Sequence, residues 1–139
     1  MLRTKDGDEN SYKSSDAINN IDWSVLKEGS NEYEMMRYYQ ELIRVRQEYA
    51  IFRTLNTAVI PNTSYGEGRV AITLDNHTGG KALIVSNPTG EAMTYNVSGN
   101  WHMIVNGVDV MDAPEAVTGS ITVPAYTAVV FVNDACLNG

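Results

Sequence analysis

Cysteine is almost absent: Cys136 stands alone in 139 residues. It excludes an internal disulfide and any zinc cluster built on cysteines. Histidine is scarce too. His77 and His102 are not at a metal-binding spacing, and each reads as a plain surface or strand residue. No apolar run approaches the roughly 18 residues of a membrane span, and Met1 to Lys5 leads into polar residues without a signal-peptide pattern. Ten basic residues are scattered along a chain of net charge −7. Without a basic stripe, neither nucleic acid nor a membrane is an expected partner. No Ser–His–Asp context, phosphate-binding glycine loop or metal spacing appears, so no cofactor is expected.

What is present is a globular composition, 43% hydrophobic, in a chain long enough for one ordinary core. Its character changes twice. Residues 1–30 are polar and carry one small apolar cluster, Ile18, Ile21, Trp23, Val25 and Leu26. A structureless loop that long is unusual inside a compact domain, which argues that something outside holds it.

Asp6, Asp8 and Asn10 alternate there as a calcium loop begins. An EF-hand counted from Asp6 would need glycine where Ser11 stands and glutamate where Ala17 stands. The pattern fails, and a solvated polar loop is the expectation, with no metal site. The carboxylates Asp6, Asp8, Glu9 and Asp16 have no apolar surroundings to shift a pKa, so no catalytic acid–base pair is expected.

Residues 31–52 read as one helix. Asn31 suits an N-cap and Glu34 follows three residues later, as in a capping box. Met35, Met36, Tyr39, Leu42, Ile43 and Tyr49 recur at spacings of three and four, one face of a helix. Arg46 falls on or beside that face, its stem packing with the head in water, or its charge held in a buried ion pair.

Residues 56–133 alternate short β-rich runs with turns. The runs are "NTAVIP" (56–61), "RVAITLD" (69–75), "KALIVSN" (81–87), "EAMTYNV" (91–97), "WHMIVNG" (101–107), "GSITVPA" (119–125) and "YTAVVFV" (126–132). That spacing predicts an antiparallel β-sandwich or barrel. Pro61 suits an edge strand, and Pro124 should end its strand. Asp75, Glu91, Asp109, Asp112 and Glu115 are expected near turns.

The polar start resembles a segment of the type I pullulanases of the α-amylase superfamily. The pattern there is R-T-K, a Gly/Asp stretch, N-S-Y, then D…N…D-W. Here it is Arg3, Thr4 and Lys5, then Asn10, Ser11 and Tyr12, then Asp16, Asn19 or Asn20, Asp22 and Trp23. "YYQELIRVRQEYAIFR" (38–53) resembles the final barrel helix of that superfamily, with Val45 for the usual leucine and Ala50-Ile51 where Pro-Ala is common. "ALIVSNPTGEAMTYNV", "WHMIVNG" and "ITVPAYTAVVFV" resemble its C-terminal antiparallel β-domain.

The resemblance implies a mainly β chain: a C-terminal β-sandwich at 55–139, preceded at 1–54 by the end of a (β/α)₈ barrel. That end comprises an active-site-side loop at 1–30 and the last helix at 31–52. It further implies a bacterial debranching enzyme, secreted or cytoplasmic, that cleaves α-1,6-glucosidic branch points in pullulan and related α-glucans. The catalytic carboxylates would lie outside this chain. Arg3, Asn10 and Tyr12 would be the substrate-binding residues, supplying a charged donor, an amide and an aromatic face. The partners implied are an α-glucan and the rest of the barrel. The helix face at 31–52 offers a route to self-association. A rival expectation is a stand-alone carbohydrate-binding module, whose candidate aromatics are Tyr65, Tyr95, Trp101, Tyr126 and Phe131.

Overall fold

The computed structural model describes residues 4–64 and 66–137. The chain is mainly β and divides into two compact units, Met1–Gln40 and Glu41–Gly139. The division falls within the one long helix.

In the first unit the polar stretch before residue 31 is a run of tight turns. Residues 5–25 fold as 3-10 turns at Lys5–Gly7, Ser11–Lys13 and Trp23–Val25, with a short helix α1 at Asp16–Asn19. Asp, Asn and Ser dominate here, and their side chains bond to nearby backbone instead of building a long helix. The long helix α2, Asn31–Glu48, follows. Its cap is Ser30, not Asn31. Ser30 Oγ accepts the Tyr33 N–H at 3.2 Å, and the Ser30 hydroxyl donates to the Val25 carbonyl at 2.8 Å. Glu34 turns outward to Arg37 at 3.0 Å. The helix also ends earlier than its periodicity predicts. Tyr49 takes an extended conformation, and Ala50–Phe52 is a 3-10 turn.

In the second unit six antiparallel strands hydrogen-bond in the order β1-β2-β3-β6-β4-β5. They are β1 Ala58–Ser64, β2 Val70–Asp75, β3 Lys81–Asn87, β4 Met93–Val105, β5 Val110–Val123 and β6 Thr127–Asn133. Pro61 lies on the edge strand β1, beside a register shift, and β5 stops at Val123 before Pro124. The sequence runs at 91–97 and 101–107 are one strand. The first half of β4 pairs only with β5, the second with β5 and β6, and the register slips between Val97 and Trp101. One continuous sheet therefore bends over itself at Ser98–Asn100 into two layers. The first half of β5 carries Asp112, Pro114 and Glu115, which the sequence places near turns. It is a strand because it holds the free edge, where proline and charge are tolerated.

The core lies between the layers: Leu83, Val85, Val129 and Phe131 from one, Met93, Tyr95, Val97 and Val123 from the other. Each large apolar side chain buried there stabilises by roughly 1.5–3 kcal/mol. The opposite face of β4 carries Ile104, which with Val45 and Tyr49 of the helix region lines a small cavity of about 30 Å³. A short C-terminal helix, α3 (Asp134–Leu137), packs on β3, β4 and β6. Gly107 allows the β4–β5 turn to close. Its φ is +94°, and a Cβ there would sit 2.1 Å from Thr127 Cγ2.

Candidate functional site

Arg3 lies outside the described residues. Asn10 and Tyr12 stand two residues apart at the Ser11–Lys13 turn. Tyr12 is 72% exposed, with the Lys13 ammonium 5.2 Å from its ring centre. Asn10 is exposed, and its backbone N–H donates to Asp8 Oδ1 at 3.0 Å, leaving its side chain outside that bond.

Between them Ser11 points inward and is buried. Lys5 Nζ donates to Ser11 Oγ at 2.5 Å and to Asn19 Oδ1 at 3.4 Å. The Asn19 amide in turn donates to the carbonyls of Ser11 at 2.7 Å and Ser14 at 3.0 Å. The turn is thus braced from beneath by Lys5 and Asn19, while Asn10 and Tyr12 face outward. An amide and an aromatic ring held this way can offer hydrogen bonds and an apolar face to one ligand. Sequence reading missed the brace. Separations of 6 and 14 residues belong to no helical or strand period.

Two carboxylates of this region, Asp8 and Asp22, are perturbed by hydrogen bonds rather than by burial. The Ser14 hydroxyl and the Asn10 amide hold the Asp8 carboxyl below its ordinary range, with the Lys5 charge assisting. The Ser24 hydroxyl and amide lower Asp22 in the same way, where Asp22 caps the turn at Trp23. A lowered carboxyl is a stable anion, unsuited to act as a general acid. Among the described residues no three His, Cys, Asp or Glu side chains converge as a metal site.

Among the described residues the aromatics of the β-domain do not form a row. Tyr95 and Phe131 are buried, and Trp101 packs against the core with its indole N–H on the Ser98 carbonyl at 3.0 Å. Tyr65 lies outside the described residues; among the described candidates Tyr126 alone is displayed, 79% exposed. His102 is not a bare strand residue: its Nε2 meets Asp134 Oδ1 at 2.5 Å, fastening α3 to β4.

No protein-family model matches the chain. Among curated proteins it is 41% identical over 60 residues to a pullulanase of Bacillus subtilis strain 168, covering 43% of this chain and 8% of that one. Among solved structures it is similar to a pullulanase from Bacillus acidopullulyticus, with TM-score 0.77, 26% identity, and cover of 96% of this chain and 17% of that chain. A second is the type I pullulanase of Bacillus subtilis str. 168 complexed with maltose, at TM-score 0.77 and 19% identity over 94% of this chain and 19% of that one. A third, the pullulanase of Anoxybacillus sp. LM18-11 complexed with maltotetraose, has TM-score 0.71 and 20% identity over 94% and 19%. The chain thus spans less than a fifth of the length of these relatives. A polar arm bearing the R-T-K…N-S-Y pattern, followed by an antiparallel β-domain, is what makes the chain similar to a segment of the pullulanases.

Proposed function

We propose that this segment serves a debranching glycoside hydrolase that cleaves α-1,6-glucosidic bonds in pullulan and related α-glucans by a retaining double displacement. In this reading residues 1–54 complete a (β/α)₈ barrel. The arm at 1–30 faces the active site, and residues 55–139 form an accessory β-domain. The nucleophile and the acid/base carboxylate lie elsewhere in the parent, and this segment supplies substrate contact and stability. Arg3, Asn10 and Tyr12 are the contacts assigned to the glucan.

The observation that carries the reading is the match to pullulanases over 96% of this chain at TM-score 0.77. The helix supports it. Met35, Tyr39 and Ile43 form one line along α2 and are 36%, 61% and 55% exposed. An apolar line left open suits a helix whose partner layer is the barrel. The buried positions of Tyr95 and Phe131 weigh against the stand-alone binding module, which would need aromatics on an outer face.

The test is release of reducing sugar from pullulan by the parent reading frame and by the 139-residue chain. Activity is expected from the parent alone. Turnover by the isolated chain, or none by the parent, would overturn the reading.

A further inference from the structure

Tyr126 is the β-domain's most exposed aromatic among the described residues, and its backbone is strained to display it, with φ at +52°. Left-handed backbone is costly for a bulky side chain and persists only where surrounding structure imposes it. That structure is visible. The Tyr126 N–H donates to the Thr89 carbonyl at 3.0 Å. Asn87, fully buried, ties the same two loops together: its amide donates to the carbonyls of Glu91 at 2.7 Å, Val123 at 3.2 Å and Pro124 at 2.8 Å. The hydroxyl end of the Tyr126 ring lies over Gly90, where a Cβ would come within 3.1 Å of it.

The loop that anchors Tyr126 is itself tied to charged side chains. Arg69 donates to Thr89 Oγ1 at 2.7 Å, and its Nη1 lies 3.5 Å from Glu67, which is largely exposed. An exposed aromatic ring, anchored by its backbone to the loop whose Thr89 also holds the Arg69 guanidinium, matches the chemistry of a pyranose. The ring offers an apolar face, and the charged groups suit vicinal hydroxyls. A protein partner would be better served by a contiguous apolar surface.

Resting on the α-glucan reading above, we infer that the corner formed by Tyr126, Gly90, Thr89, Arg69 and Glu67 is an α-glucan contact of the β-domain, stacking one glucose ring on Tyr126. With a single platform the contact is weak, and it serves to hold a passing chain.

The test is amide chemical-shift titration of the 139-residue chain with maltotriose, beside cellotriose. Shifts are expected at Arg69, Thr89, Gly90 and Tyr126, with maltotriose preferred. Tyr126→Phe should keep them. Tyr126→Gly, which relieves the positive φ and so should fold at least as well, should weaken binding about tenfold or more, the loss of one stacked ring. Absent shifts, shifts confined to other residues, shifts that survive Tyr126→Gly, or equal shifts with cellotriose would each overturn the inference. Pullulan hydrolysis by the parent is measured alongside. Hydrolysis without Tyr126-dependent shifts defeats this inference alone. Tyr126-dependent shifts without hydrolysis defeat the enzyme reading and leave the contact standing.

Discussion

The side-chain amide of Asn87 donates to the carbonyl of Pro124 at 2.8 Å, joining two loops 37 residues apart. Its oxygen meanwhile accepts from the Thr89 N–H at 3.2 Å and the Thr89 hydroxyl at 2.8 Å, and from Arg69 Nε at 3.3 Å. Every polar atom of a fully buried side chain is satisfied. Replacing Asn87 by leucine would take this partner from the Val123 and Pro124 carbonyls and the Thr89 N–H inside the fold. A loss of about 3 kcal/mol is expected, read as a lower urea midpoint with unchanged slope. A loss under about 0.5 kcal/mol would show that water replaces the amide.

Ser30, not Asn31, caps α2. Ser30→Ala should cost about 1 kcal/mol, while Asn31→Ala, already inside the helix, should cost little. Thermal melts of the two variants decide it. Equal effects would restore the cap that the sequence suggests.

The arm should loosen in acid. Asp8 and Asp22 have folded pKa values below their ordinary ones. Their contribution is therefore present above the unfolded pKa and disappears as pH falls through the lowered folded value. Both are fully exposed, so the effect is local and is best followed residue by residue. In a carboxyl NMR titration Asp8 should titrate below a free aspartate, and Ser14→Ala should move it back up. An unchanged Asp8 in that variant would remove the hydroxyl as the main cause.

The apolar line Met35, Tyr39 and Ile43 should drive self-association of the isolated chain. Sedimentation equilibrium should show a concentration-dependent dimer, and Tyr39→Glu with Ile43→Glu should raise its dissociation constant at least about tenfold. A monomer at every concentration would mean that the line is tolerated bare.

Alternation of apolar and polar residues was enough to read most of the β-domain. Val70, Ile72 and Leu74, or Leu83 and Val85, can lie on one side of a strand only if the period is two, so strand positions follow from composition alone. Pro61 and Pro124 are equally local, because a missing N–H excludes a central ladder position wherever the chain goes. The R-T-K…N-S-Y pattern carried the resemblance by sequence for the same reason: it is a string of residue types at fixed spacing. Other features were invisible until the chain folded. Nothing in the row of residues says that 91–97 and 101–107 are one strand bent at Ser98–Asn100, since the bend is set by which partner each half pairs with. The strand character of Asp112–Glu115 depends on holding the free edge of the sheet, a property of strand order and not of those residues. The cap fell to Ser30 because its hydroxyl reaches both Val25 and Tyr33. The brace of Lys5, Ser11 and Asn19, the Asn87 bridge and the display of Tyr126 each join groups whose separation has no period. Such contacts arise only where tertiary packing brings distant segments to hydrogen-bonding distance.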